Sequence, residues 1–275
     1  MNVYWLTAAL VCYALSATGF AMERAGLRGR LSQWASPLLG GGAALQTGDL
    51  FMRGIQAGNI PVTDFGQALV FLAWLTAIAG LVLIVRFHMP VIGVYVGPIV
   101  IVALGIGAST MSHARLVMPQ SLRSAWLPVH VTFALLGYAL FVLAAIVSLV
   151  YLVYERRLKA KRPLLPTDSR TPSLEKLDRI NYRLLGWGFL MLSLAIVTGA
   201  LWADATWGHF WSWDPAESWT LIIWLLYAGL LESRLAVGWR GRRAATLTIA
   251  VFTVLVGSFV GVSLLATGKH GGNFG

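Results

Sequence analysis

Fifteen residues, ATWGHFWSWDPAESW (205–219), hold four tryptophans, a histidine, an aspartate and a glutamate. Six of the twelve tryptophans, at 202, 207, 211, 213, 219 and 224, fall within 23 residues of one another. Indole favours a membrane–water interface, and that alone accounts for Trp5, Trp126 and Trp239. It does not account for Trp207, Trp211 and Trp213 lying between two apolar runs. A cluster of this kind offers ring faces on which a large, flat, apolar ligand can stack. Asp214, Pro215 and Glu217 have the order of a helix start: a cap, a first-turn proline, and an acid three positions after the cap, as in a capping box. These two carboxylates therefore read as loop-shaping groups before they read as acid–base catalysts. The helix start they make also favours an anionic group nearby, such as a propionate.

Five histidines complete the inventory. His130 opens an apolar run in WLPVHVTFALLGYALF, and His270 follows the last one in LLATGKHGGNFG. Either alone is an unremarkable interfacial or tail histidine. Two imidazoles from separate helices, flanking an aromatic platform, are what bis-axial ligation of a heme iron requires. His209 sits inside the tryptophan loop, where its neighbours suggest packing or solvent. His113 reads as a solvated loop residue and His88 as interfacial, beside Arg86. Met111 and Met118 are chemically able to ligate iron, but methionine is common in membrane helices and they are ranked well below the histidines.

The elements that must position these groups follow from composition. The chain has 275 residues, is 57% hydrophobic and 12% charged, and has a mean hydropathy of +0.72. Soluble domains carry about twice that charged fraction. Apolar runs close to twenty residues long recur throughout, which is the pattern of membrane-spanning helices. The expected fold class is an all-α polytopic integral membrane protein, a single domain over 1–275. Spans are placed at 3–22, 33–50, 67–86, 91–109, 128–154, 184–203, 218–234 and 244–267. The second is the weakest, with Gly40 to Gly42 inside it and Gln46 and Asp49 near its end, and reads as a broken or partly interfacial helix.

The net charge of +10 would fit nucleic acid only if the basic residues formed one patch. They sit instead in short loops. With eight spans and both termini outside, seventeen of the 21 Lys and Arg residues face inward, a strong positive-inside bias. The loop 155–183 is the main cytoplasmic segment, and its second half is expected to form an amphipathic surface helix from about Thr171–Pro172. The N-terminus has its arginines (Arg24, Arg28, Arg30) after the apolar run rather than before it, so it reads as a retained first span and not a signal peptide. Cys12 stands alone, excluding an internal disulfide or a CxxC site. No Walker, Rossmann, HExxH or nucleophile-elbow pattern is present. Ionisable residues inside the spans are few, which leaves ion-coupled transport little support. Glu232, near the end of the seventh span, reads as a local ion-pair partner of Arg234.

On these residues the chain resembles a known family. WGHFWSWDPAESW is similar to the tryptophan-rich WWD signature of the heme-handling superfamily of cytochrome c maturation, and its WDPxE-W ending resembles the CcsA (ResC-type) branch of system II rather than the CcmC branch. GNIPVTDFGQALVFLAW (58–74) is similar to that branch's early outer-loop motif. MPQSLRSAWLPVHVTFALLGYALF (118–141) resembles the segment carrying its first external heme-ligand histidine, and GKHGG matches the place of the second. The resemblance implies an eight-span protein of the bacterial inner (cytoplasmic) membrane. Heme b (iron protoporphyrin IX) would be held at an outward-facing WWD site, between His130 and His270 and against Trp207, Trp211, Trp213, Asp214 and Trp219. It implies delivery for thioether attachment to the CxxCH cysteines of apocytochrome c, as part of a lyase-type complex with a CcsB-like membrane partner. A thioredoxin-like thiol reductant would serve the same client. One departure stands out: where the family commonly has a histidine, in a His-Thr-Arg-like triplet linked to a second, intramembrane heme, this chain has Glu232-Ser233-Arg234. That departure keeps an alternative open, a non-catalytic accessory protein of the same branch that binds heme or a partner enzyme and regulates heme supply.

Overall fold

The computed structural model describes residues 3–27, 29–58, 60–62, 64–111, 124–161 and 172–265. His270, His113 and Met118 lie outside the described residues. The described chain is helical without strands: α1 (Val3–Arg24), α2 (Arg30–Ala57), α3 (Phe65–Arg86), α4 (Gly93–Thr110), α5 (Trp126–Lys159), α6 (Leu174–Trp207), α7 (Pro215–Leu235) and α8 (Arg242–Leu265). A short 3-10 turn, Pro90–Ile92, leads into α4. All eight helices coincide with the runs expected from hydropathy. Six are long and apolar enough to cross a membrane: α1, α3, α4 with its leading turn, α5, α6 and α8. This is a multi-pass membrane protein. The other two, α2 and α7, have 28 and 21 residues. Their polar residues hold them below that threshold, since at ~1.5 Å per residue even the shorter spans ~30 Å.

Two groups of helices pack together. α1 lies against α2 and α4, with α3 against α4 and α2; α5 lies against α6 and α8, with α7 against α6 and α8. α3 packs on α5 and joins the groups. Close approach depends on small residues, as expected where lipid supplies no hydrophobic drive between helices. The expected break in α2 does not occur. The helix continues through Pro37 and the three glycines, and a side chain at Gly42 would meet the Tyr13 ring of α1 at 2.7 Å. The glycine there is a packing surface. Its polar residues also have partners: Tyr13 donates to Gln46 Oε1 at 2.7 Å, and Gln46 Nε2 donates to the carbonyl of Val70 at 2.8 Å. Asp49 pairs with Arg53 one turn on, at 2.6 Å.

The surface helix expected after Thr171–Pro172 is the beginning of α6 itself. Ser173 caps it, accepting from the Lys176 backbone N–H, and the helix then runs unbroken for 34 residues. A helix of that length measures ~51 Å, well over the ~30 Å of a hydrocarbon core, so α6 and the equally long α5 extend past the apolar layer. Toward the α6 N-terminus, Asn181 donates to the carbonyl of Ala144 and to Ser148 on α5. The expected Glu232–Arg234 pair is corrected here. Arg234 is buried and pairs with Asp178 of α6 at 2.8 Å, while Asp178 also accepts the Gly241 backbone N–H. Glu232 points to the surface. Residues two apart on a helix lie ~200° around the axis from each other, so only one of the two can face α6.

Candidate heme-binding loop and its histidine

α6 ends at Trp207 with Gly208 in the left-handed region (φ +75°), donating to the Asp204 carbonyl at 2.8 Å. Seven residues later α7 begins. Asp214 caps it as expected: Oδ1 accepts the backbone N–H groups of Ala216 (2.8 Å) and Glu217 (3.2 Å), with Pro215 in the first turn. Glu217 departs from the capping-box expectation. Its carboxylate passes the cap residue and accepts from Ser212, at 2.7 Å from the backbone N and 3.1 Å from Oγ. The loop is thus clamped from the helix that follows it. Both acids are engaged in shaping the backbone, as the sequence suggested.

The clamp encloses one unusual residue. Trp213 has φ +58°, a conformation that costs a bulky side chain on the order of 1–3 kcal/mol. The residue is 71% exposed, and its ring meets Trp211 edge-on, with ring centres 5.8 Å apart. Trp211 is half-buried, and its indole N–H has no hydrogen-bond partner among the described residues. Trp219 stands partly exposed in the second turn of α7.

A second aromatic row reaches the histidine. His130, in the second turn of α5, lies parallel to Trp202 of α6 with ring centres 6.2 Å apart. Trp202 meets Trp207 at 4.9 Å, and Trp207 lies near-parallel to His209 at 6.4 Å. Trp202 is buried, packed with Leu127, Val131 and Trp207. The fold therefore brings His130 and the start of the tryptophan loop to one end of the bundle. His209, expected to pack or face solvent, is a half-buried member of this row.

The His130 ring is anchored to α6. Nδ1 lies 2.7 Å from the carbonyl oxygen of Ala195 on α6. A carbonyl only accepts, so Nδ1 is the donor in this bond. Metal-ligating histidines are commonly fixed in this way, by donating their other nitrogen to a backbone carbonyl or carboxylate. The donor chemistry and the flanking indole faces both fit a heme. Met111 fits less well: its sulfur accepts from Arg53 Nη1 at 2.9 Å. Among the described residues no group of three or more His, Cys, Asp or Glu side chains could hold a metal ion.

Sequence reasoning counted Trp202 in the tryptophan cluster but gave it no role, and it passed over Gly199 and Ala195. A side chain at Gly199 would stand 2.7 Å from His130 Nδ1 and 2.8 Å from its Cε1. The signal available was their spacing: 195, 199 and 202 recur at helical intervals and form one face of α6, turned toward α5.

Among the described residues, helices long and apolar enough to cross a membrane, with a clamped aromatic loop at the end of the bundle where His130 lies, define a class: multi-pass helical membrane proteins. The chain belongs to the Cytochrome C assembly protein family, which it matches over residues 63–270. It is 34% identical over 251 residues to the cytochrome c biogenesis protein CcsA of Synechococcus sp. (strain CC9902), covering 82% of each chain. CcsA of Synechococcus sp. (strain WH7803) is 31% identical over 281 residues, covering 88% of this chain and 86% of the relative. In fold it is similar to the cytochrome c heme lyase CcmF, with a TM-score of 0.64 at 16% identity over 93% of this chain. This chain spans 45% of the CcmF chain.

Proposed function

We propose that this protein takes part in cytochrome c maturation by holding heme b at the 208–214 loop and presenting it to apocytochrome c. The observation that carries this reading is the His130–Ala195 hydrogen bond within the Trp202–Trp207 row, on a chain of the cytochrome c assembly family. His130 and His270 would hold the heme iron. Trp207, Trp211, Trp213 and Trp219 offer ring faces to the porphyrin. Asp214 holds the loop to α7 and takes no part in proton transfer. Bound heme contributes two vinyl groups, each of which a CxxCH thiol adds across, forming one S–C and one C–H bond with no leaving group. Orientation alone can supply most of the acceleration such a step needs.

The loop faces the outside of a bacterial cytoplasmic membrane, the arrangement favoured by the positive-inside distribution. A CcsB-like membrane protein is the expected partner, with a thioredoxin-like reductant keeping the client thiols reduced. The test is the heme content and optical spectrum of the purified protein: low-spin, bis-histidine heme supports the reading, and a protein that neither purifies with heme nor binds it on titration opposes it.

One observation favours a second reading. Glu232 stands exposed where the resemblance leads one to expect an intramembrane histidine, and among the described residues its carboxylate makes no ion pair. A regulatory, non-catalytic member of the branch would need only the outer site. Complementation of a strain lacking CcsA separates the two, because an accessory protein would be expressed without forming thioether-linked cytochrome c.

A further inference from the structure

We propose that Gly199 is a positioning residue for His130: the absence of a side chain there is what lets the imidazole lie flat on α6, with Nδ1 bonded to Ala195. The inference rests on the reading of His130 as an iron ligand and adds to it the element that sets its geometry.

Three residues of one α6 face hold the ring. The Ala195 carbonyl accepts a hydrogen bond from Nδ1 at 2.7 Å. Trp202 lies parallel to the ring, with an interplanar angle of 14° and ring centres 6.2 Å apart. Gly199 lies between them on the same face, and a methyl group there would stand 2.7 Å from Nδ1 and 2.8 Å from Cε1. Both distances are shorter than real side chains tolerate. What would be struck is a planar ring held between a hydrogen bond and an indole, with no flexible end to swing aside. The helix backbone at 199 needs no glycine for its own conformation, and glycine inside a helix costs roughly 0.5–1 kcal/mol relative to alanine. Space for His130 is the compensating requirement.

Alanine at 199 must therefore turn the ring about its χ angles and stretch or break the bond to Ala195. The imidazole then loses the partner that fixes its tautomer and raises its basicity. Loss of such a partner typically weakens metal binding by about 10- to 100-fold.

The experiment compares four purified proteins: wild type, G199A, H130G and H130G/G199A. Each is titrated with heme, and its optical spectrum and reduction potential are measured with and without added imidazole. The proposal expects G199A to bind heme at least about 10-fold more weakly than wild type, with a shifted potential or a mixed-spin spectrum. It expects H130G to lose the low-spin spectrum and imidazole to restore it. The double variant should be restored as fully as H130G, because a free imidazole is not tied to the α5 backbone and can settle clear of the new methyl group. If G199A keeps the wild-type affinity, spectrum and potential while H130G loses them, Gly199 has no positioning role. If imidazole restores H130G but not the double variant, the alanine damages the fold rather than the ring position, and the proposal is overturned. If H130G itself keeps the wild-type spectrum, His130 is not a ligand, and the underlying reading fails together with the proposal.

Discussion

The carboxylate of Glu217 accepts the backbone N–H of Ser212 at 2.7 Å, so the first turn of α7 grips the loop two residues ahead of its own cap. With Asp214 bonded to Ala216 and Glu217, the chain from 212 to 217 closes on itself, and Trp213 is the residue left outside.

Asp214 acts as a cap, and an amide can cap almost as well as a carboxylate. D214N should therefore retain wild-type stability and heme binding, while D214A loses about 1 kcal/mol. Thermal unfolding in detergent, alongside heme titration, checks both. A D214N protein as defective as D214A would show that the charge itself is used.

Trp213 should separate stability from function. Its ring is mostly exposed, so removing it sacrifices little burial, and glycine tolerates φ +58° without strain. W213G is expected to melt at or above the wild-type temperature yet bind heme more weakly, whereas W213A should be less stable than W213G. Equal heme affinity in wild type and W213G would remove Trp213 from the site.

Arg234 and Asp178 form the buried ion pair between α6 and α7, and breaking such a pair by removing one partner costs about 3–5 kcal/mol. R234A should fall by that order in unfolding free energy, as measured by denaturant or heat. E232Q, at an exposed position, should unfold like wild type. The reverse ranking would place the structural pair at Glu232.

How much of this was legible in the sequence depends on whether an interaction is local. Hydropathy placed every helix, and the Asp214-Pro215-x-Glu217 spacing located the start of α7 to the residue, because caps and apolar runs are written in consecutive positions. The break considered for α2 at Gly40–Gly42 does not occur, since a glycine that breaks an isolated helix and one, like Gly42, that admits a neighbouring Tyr13 look alike in one dimension. Ser212 as the partner of Glu217, Asp178 as the partner of Arg234, and Gly199 beneath His130 all depend on which faces meet across helices or loops. The tryptophan loop was recognisable by residue type; the ring row that links it to His130 through Trp202 was not.

Orientation in the membrane can be read with thiol labelling. Cys12 is the only native cysteine, so C12A gives a clean background. On it, A205C, exposed near the tryptophan loop, should react with an impermeant maleimide on intact spheroplasts, and A160C only after permeabilisation. Labelling of A160C alone from outside would invert the topology.

The central claim is that His130 ligates heme beside the tryptophan loop, and the optical spectrum of purified H130A heme complex, compared with wild type at equal protein, tests it most directly. The expected result is low-spin heme in the wild type and, in the variant, its loss or conversion to a high-spin form. A variant with unchanged heme content and an unchanged low-spin spectrum would contradict the claim.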